Sequence, residues 1–254
     1  MKITLIPEEN FDKKSKDTIF LLVHIAEIEL KKFEIRIPKE IVFYDMINPF
    51  IKKIINQVKA YNLSENQASE FIKASLNAGT YGTFDIENNQ IVEMNFNPYF
   101  KTFYPAVLFL RMIIHESLHL YLYSKLNKDI YSQKFKFKKG KYSGIRKIIQ
   151  LDEGFAGVMT DKILESFNFN AIKDLPIYSG LNSPPDYLSE VEGLNIKKFN
   201  LSFEKIYQKN SKKGYKLIKR KLNAEKSINK LNLTISFIQN EVDKLFLKHK
   251  RDIS

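Results

Sequence analysis

Cysteine is absent from this 254-residue chain, and histidine is scarce, with only four residues. The absence of cysteine excludes a disulfide framework and any metal site built from thiolates. A bound metal ion would therefore be held by imidazole and carboxylate groups. Long apolar runs are also missing, because the two longest, residues 19–30 and 106–114, are too short or too interrupted to span a bilayer.

The N-terminal segment MKITLIPEENFDKK contains no apolar core of the kind that a secretory signal peptide needs. With no membrane-spanning run either, the sequence predicts a cytoplasmic protein. Its hydrophobic fraction of 44%, with 20 Phe and 13 Tyr, is ordinary for a globular chain. The length is sufficient for one sizeable core or for a domain with an appendage.

Acidic residues are few at the end of the chain. Residues 195–254 hold sixteen Lys and Arg against five Asp and Glu, so they carry +11 of the net charge of +12. Such asymmetry is typical of a surface for nucleic acid, an anionic membrane or an acidic partner, and equally of a lysine-rich face exposed to solvent. No known nucleic-acid-binding motif is present, so we favour the solvent-exposed face over a nucleic-acid partner.

Hydrophobic spacing predicts an α+β chain that is mainly helical, with a small antiparallel or mixed sheet. Helices are predicted over residues 15–33, 50–61, 64–76, 105–126, 151–167 and 231–245, and short strands over residues 1–7 and 35–37. The segment GTYGTFDIENNQIVEMNFNP, residues 79–98, alternates as a β-hairpin does, with Asn88 and Asn89 in its turn.

Residues 131–147 are expected to form a lysine-rich connector, interrupted by Gly140 and Gly144, that acts as a flap or as a solvated loop. The charge asymmetry divides the chain into a domain of residues 1–194 and a basic helical region of residues 195–254. The apolar spacing of residues 231–245 indicates an amphipathic helix near the C-terminus, which could pack on the domain or on a second copy.

The pattern HESLH lies inside the apolar run PAVLFLRMIIHESLHLYLYSKL. On a helix, His115 and His119 project from one face one turn apart, so both can bind the same metal ion. Glu116 lies one position round from that face, where its carboxylate can reach a water molecule on the metal. This is the HExxH arrangement of zinc-dependent hydrolases, and the alternative is a pair of histidines on a buried helix.

A catalytic zinc ion usually has three protein ligands, so a third ligand is needed. The pattern HExxHxxGxxH is excluded, because its glycine would fall at Leu122 and its last histidine at Lys125. His24 and His249 are remote in sequence. A carboxylate is the better candidate, and we favour Glu153 in DEGFA. The alternative is that Glu153 lies in the first turn of a helix, where an acid is favoured by the helix dipole.

With HESLH and EGFA in this order, the chain resembles the gluzincin metallopeptidases, in particular the peptidase MA-like group. The similar layout extends over about residues 79–167. The resemblance implies a zincin-like domain in which the HExxH helix packs against a second helix carrying the third ligand. It implies one Zn²⁺ ion bound by His115, His119 and Glu153, and a peptide or protein as the substrate.

The chain departs from the gluzincin pattern at two places. One branch has an aspartate four residues after the ligand glutamate, where this chain has Gly157, so Asp152 or Asp161 would have to orient a ligand histidine. Another branch has a YxKG motif whose tyrosine stabilises the oxyanion. The nearest match, SKKG, has Ser211 in that position. The remaining candidates, each more typical of packing or surface tyrosines, are Tyr178, Tyr187, Tyr207 and Tyr215.

Spacing alone predicts zinc-assisted hydrolysis, with Glu116 as the general base that takes a proton from the attacking water. The resemblance makes a peptide bond the expected target. Two alternatives stay open at this point. The chain could be a zinc protein without peptidase activity, or a binding module that holds nucleic acid or an acidic partner through its basic C-terminal region.

Overall fold

The structure is a computed structural model that describes residues 1–6, 8–44, 80–85, 90–95, 104–126, 143–177, 201–224 and 230–251. Five α-helices account for most of these residues, as the sequence predicts. They are α1 (Lys13–Lys31), α2 (Ala106–Lys125), α3 (Ser143–Ile163), α4 (Leu201–Ala224) and α5 (Lys230–Arg251). Two short 3-10 helices, Glu8–Asn10 and Phe169–Ala171, lie between the larger elements.

The strands are short and form two small sheets. They are β1 (Lys2–Ile6), β2 (Glu40–Tyr44), β3 (Thr80–Asp85), β4 (Gln90–Asn95), β5 (Tyr104–Pro105) and β6 (Pro176–Ile177). The larger sheet has the order β1-β2-β4-β3, in which β1, β2 and β4 are parallel and β3 is antiparallel to β4. The two arms of the predicted hairpin are β3 and β4, and β3 lies at the edge of this sheet.

Helix α1 follows directly from its sequence. Asp12 caps it, because its side chain accepts a hydrogen bond of 2.7 Å from the backbone N–H of Ser15. Its predicted apolar face is buried, comprising Ile19, Leu22, Val23, Ala26 and Leu30. His24 lies on the opposite, exposed face of α1 beside Glu27, and it is not among the residues whose ligand atoms converge with those of the HESLH motif.

The predicted strand at residues 35–37 is wrong, because this segment ends α1 instead. Glu34 has a φ of 58°, and the N–H groups of Glu34 and Ile35 donate to the carbonyls of Lys31 and Leu30. These two bonds define a Schellman cap, whose apolar contact is supplied by the buried Ile35. The strand begins after Pro38, at Glu40.

The connector predicted over residues 131–147 ends earlier than expected, because α3 begins at Ser143. Gly144 does not break the helix. It lies in the first turn, where backbone N–H groups have no intrahelical partner and a glycine costs little. Ile148 and Ile149 are buried and anchor this turn, and Lys147 forms a salt bridge of 3.0 Å with Glu241 on α5. Residues 127–142 lie outside the described residues.

Helix α2 lies at the centre of the packing. It contacts α1, α3 and strand β3, and Phe109 meets Phe43 of β2 edge to face at 5.3 Å between ring centroids. Helices α3 and α4 pack closely against each other, and α5 packs on both. The buried residues Ile218, Ile238 and Val242 bring α4 and α5 into the same hydrophobic cluster as α2.

Several predictions fall outside the described residues, namely the helices at 50–61 and 64–76, the turn at Asn88 and Asn89, and the domain boundary between residues 194 and 195. The division into two domains therefore stays a prediction. In the described chain, no helix combines the length and the apolar character that crossing a membrane requires.

Candidate metal centre

The two histidines of HESLH lie on the side of α2 that faces α3. Their spacing of four residues places the rings one turn apart, and the two Nε2 atoms are 3.1 Å from each other. His119 is almost completely buried, with 3% of its side chain exposed, whereas His115 retains 27%. The pair therefore presents two ring nitrogens at the boundary between the core and solvent.

Glu153 on α3 completes this group. One carboxylate oxygen lies 3.5 Å from Nε2 of His115, and the other lies 3.7 Å from Nε2 of His119. A tetrahedral zinc ion with ligands at about 2.0–2.1 Å would hold any two ligand atoms about 3.3 Å apart. With one ligand atom taken from each residue, the three atoms lie within 4.8 Å of one another, so the three side chains can share one zinc ion after the Glu153 carboxylate turns one oxygen toward both imidazoles.

Glu153 lies well inside α3, more than two turns after the helix begins at Ser143. The prediction that this helix begins at residue 151, just before Glu153, is therefore wrong. The same observation removes the alternative explanation of Glu153, because the attraction between an acid and a helix N-terminus is confined to the first turn. Its position facing the two histidines needs another reason, and metal binding provides one.

Asp152 holds His119 in the orientation that metal binding needs. Its Oδ1 atom lies 2.7 Å from Nδ1 of His119, and both side chains are 3% exposed. With Nδ1–H donating to this carboxylate, the lone pair of Nε2 is directed toward His115 and Glu153. Of the two aspartates that the sequence offered for this role, Asp152 makes the contact.

Asp161 has a different position. It accepts hydrogen bonds from Arg111 on α2 and from the hydroxyl of Tyr215 on α4. Arg111 lies one turn before His115 on α2, whereas Asp161 lies two turns after Glu153 on α3, so the two helices run in opposite directions. The contacts of Asp161 therefore connect α2, α3 and α4 at a distance from the ligands. Burial by itself raises the pKa of Asp161, but the hydrogen bonds from Tyr215 and Arg111, with the positive charge of Arg111, outweigh it and lower that pKa.

Buried acids dominate the electrostatics of the centre. Burial by itself lowers the pKa of His119, but the charges of Asp152 and Glu153 outweigh it and raise that pKa to about 9. In the same way, burial raises the pKa of Glu153, but the two histidines outweigh it and hold it below its ordinary value. Three carboxylates around two imidazoles favour a cation at this point, because buried charge is costly without compensation.

Glu116 is a buried neighbour of the ligands. Its residue exposure is 7%, and burial raises the pKa of its carboxyl, against the opposing effect of His119 and His115. It is not among the residues whose ligand atoms converge, which are His115, His119 and Glu153. A carboxylate next to a metal-binding group, without being one of its ligands, is suited to moving protons.

The structure describes the side chains of only some of the candidates for oxyanion stabilisation. Tyr215 donates its hydroxyl to Asp161 at 2.7 Å, so this hydroxyl is directed at a carboxylate rather than at the ligand group. Ser211 does lie one turn before Gly214 on α4, as the SKKG match implies. Tyr178 and Tyr187 lie outside the described residues, as does the side chain of Tyr207.

The sequence left two features of this centre unresolved or unnoticed. The choice between Asp152 and Asp161 depends on how the two helices cross, although the adjacent acids in DEGFA were a usable sign that one binds and the other orients. The contact between Gly154 of EGFA and Gly214 of SKKG was missed. Both glycines were visible in the two motifs, but nothing in either motif names the other as its partner.

Comparisons of the chain with models of known families, with curated proteins and with solved structures found no match.

Proposed function

We propose that this chain is a zinc-dependent metallopeptidase of the gluzincin type, with a zincin-like domain, acting in the cytoplasm. The observation that carries the proposal is the convergence of His115, His119 and Glu153 from two helices, at mutual distances of 3.1, 3.5 and 3.7 Å. Two imidazoles and one carboxylate form a donor set that zinc uses in catalytic sites, with a fourth position left for water or substrate.

Bound zinc would supply a Lewis acid that polarises the substrate carbonyl and makes water more acidic. The chain's own residues would then do the following. Glu116 accepts the proton of the attacking water and passes it to the departing amine. Positive charge at the ligand group favours the ionised form of Glu116, which opposes the effect of its burial. Asp152 keeps His119 in one tautomer throughout.

The sheet offers a place for a peptide. Among the strands that the structure describes, β3 lies at the edge of the larger sheet, and it contacts α2, the helix that carries the histidines. An extended peptide can add to such an edge through backbone hydrogen bonds, which orient a chain without selecting its sequence. This arrangement supports a polypeptide substrate over a small molecule.

The test is cleavage of an unfolded protein by the purified chain. We expect fragments to appear, to stop appearing after a chelator removes the metal, and to reappear when one equivalent of zinc is restored. The same incubation with a Glu116→Gln preparation, purified identically, is the control for contaminating proteases. Cleavage that continues at full rate in the chelator would refute the metal-dependent mechanism.

A second candidate function is binding of a polyanion, specifically the phosphate backbone of nucleic acid, by α4. Six cations lie on the exposed side of this helix, namely Lys209, Lys212, Lys213, Lys216, Lys219 and Arg220. Within the described part of the chain, none of the six forms a salt bridge with a carboxylate. Such a row can contact phosphates. Tyr215, an aromatic side chain described beside the row, lies 5.6 Å from Nζ of Lys219 at its ring centroid and bonds Asp161 through its hydroxyl.

Fluorescence anisotropy with a short DNA duplex separates this candidate from a merely solvated surface. The affinity for the duplex should fall steeply between about 50 and 200 mM salt. A loss of about 10³-fold is expected when about six phosphates are contacted. Replacing Lys212, Lys213 and Lys216 by Glu should abolish it, whereas the same change at Lys13 and Lys14 on α1 should not. Equal loss in both variants, or no binding at low salt, would exclude the α4 surface.

A further inference from the structure

Helix α3 is packed between two helices, and each contacts a different side of it. One side directs Asp152 and Glu153 toward the histidines of α2. Residues Gln150, Gly154 and Gly157, spaced by four and three positions, form a separate side that meets α4. If α3 yields when its separation from α4 changes, the carboxylate of Glu153 moves relative to the imidazoles, because both helices contact the same α3.

The crossing of α3 and α4 brings backbone against backbone. A Cβ atom added to Gly214 would lie 1.9 Å from the carbonyl oxygen of Gln150, and one added to Gly154 would lie 2.4 Å from the carbonyl carbon of Gly214. Both distances are far below van der Waals contact, and the opposing atoms are main-chain atoms that cannot rotate away. Only glycine at both positions permits this separation of the helices.

Side chains fix the crossing on either side of the glycines. One turn earlier, Nε2 of Gln150 donates to Oδ1 of the buried Asn210 at 2.6 Å. One residue after Gly214, Tyr215 donates to Asp161, and its ring lies over Gly157, where an added Cβ would be 3.3 Å from Cδ2 of the tyrosine. Three contacts thus set both the distance and the register of α4 along α3.

We infer that α4 positions the metal ligand Glu153, with Gly214 as the positioning residue. The inference rests on the proposed zinc site and deepens it. A zinc site tolerates errors in ligand distance of about 0.2 Å. Making room for a methyl group at Gly214 requires a shift of about 1 Å or more at Gln150, which precedes the ligand by three residues on the same helix. The basic region at the end of the chain is, on this account, a part of the metal centre.

The experiment measures zinc affinity in the full-length chain with and without the Gly214→Ala substitution, by competition with a chromophoric chelator. We expect zinc to bind the variant at least about tenfold more weakly, the size of effect seen when groups that orient a ligand are lost. The matched control is Asn223→Ala, an exposed position on the same helix outside the row of cations, which should bind zinc as tightly as the wild type.

Unfolding temperatures with and without zinc distinguish positioning from general stability. If Gly214 only supports the fold, the variant will lose the same number of degrees in both forms, and its zinc affinity will be unchanged. If it positions Glu153, the rise in unfolding temperature that zinc produces will shrink. An unchanged affinity in a folded Gly214→Ala protein overturns the inference.

A milder variant serves if Gly214→Ala does not fold. In Gly157→Ala the added methyl group meets a tyrosine ring at 3.3 Å, so α3 should move less and zinc should bind severalfold more weakly. Wild-type affinity in this variant would then overturn the positioning role. Failure of the wild type to bind zinc at all contradicts the proposed function instead, so the two failures are distinguishable.

Discussion

Asp152 is a buried carboxylate that would support the proposed metal site without binding the metal. Its bond to Nδ1 of His119 leaves Nε2 to face His115 and Glu153. Removing the charge while keeping the shape, with Asp152→Asn, should weaken zinc binding by about 10–100-fold, because the tautomer and the basicity of His119 are no longer fixed. Chelator competition measures this loss.

Asp161→Asn is the matched control for that prediction, since Asp161 lies on the same helix and bonds Arg111 and Tyr215 instead. We expect it to change zinc affinity far less than Asp152→Asn does. The opposite order of effects would show that the orienting carboxylate has been assigned to the wrong residue.

Glu116 lies beside the ligands and takes no part in the converging group. Replacement by Gln removes the proton acceptor and keeps the volume, so hydrolysis should fall by about 10²–10⁴-fold while the zinc content stays at the wild-type level. Metal analysis and a cleavage assay on the same preparation test both statements. Glu27→Gln, an exposed change on α1, should alter neither, and full activity in Glu116→Gln would rule out the proposed base.

The raised pKa of His119 leads to a prediction of how the stability of the zinc-free protein depends on pH. Its folded-state pKa of about 9 exceeds the value of 6.5 for an unperturbed histidine. A raised pKa means that the folded state binds the proton more tightly, so the stabilisation is complete below about pH 6.5 and is lost as the pH rises through about 9. The free energy of unfolding should therefore fall across this window.

Urea unfolding in the presence of a chelator, at intervals from pH 6 to 9.5, measures this dependence. Asp152→Asn removes the largest charge that raises the pKa of His119, so its free energy of unfolding should fall less steeply with pH. Identical slopes for the wild type and the variant would contradict the assignment of this titration to the His119–Asp152 pair.

At the scale of whole elements, hydrophobic periodicity predicts which residues of a helix are buried. It does not predict where a helix begins or ends when capping or tertiary contacts determine the boundary. The buried face of α1 and the burial of Ile235, Ile238 and Val242 on α5 follow from spacing alone. The Schellman cap at Glu34 does not, because a glutamate in the left-handed conformation carries no glycine signal. The segment after it was therefore predicted as a strand.

The start of α3 shows the same limit. Gly144 and a run of lysines indicate a loop, yet the helix extends back to Ser143 because Ile148 and Ile149 are buried and Lys147 meets Glu241 on α5. Sequence placed His115, His119 and Glu153 on two helices, since each motif is local. It could not choose between Asp152 and Asp161, which depends on how those helices cross.

The cap at Glu34 yields a prediction for the element. Glu34 has a φ of 58°, a conformation that is strained for a residue with a Cβ atom and unstrained for glycine. Glycine also increases the entropy of the unfolded chain, which offsets part of this gain. The net effect of Glu34→Gly should be a stabilisation of about 0.5–1 kcal/mol. Thermal unfolding should show a higher midpoint. Glu27→Gly, inside α1, is the control with the opposite sign and should lower the midpoint.

For the molecule as a whole, the packing connects the basic region of residues 195–254 with the helix that carries Glu153. The basic end of the chain supplies α4 and α5, and α4 meets the helix of Glu153 through Gly214 and Asn210. The exposed side of α4 carries the cations, and its buried side packs against α3, the helix that carries Glu153. One helix can thus combine a surface for anions with support for the metal centre.

The measurement that tests the central claim most directly is the zinc content of the purified chain, compared with that of His119→Ala and Glu153→Ala. The account predicts about one equivalent of zinc per wild-type chain and the loss of most of it in both variants, while His24→Ala, on the exposed face of α1, keeps it. Equal zinc content in the wild type and in all three variants would contradict the account.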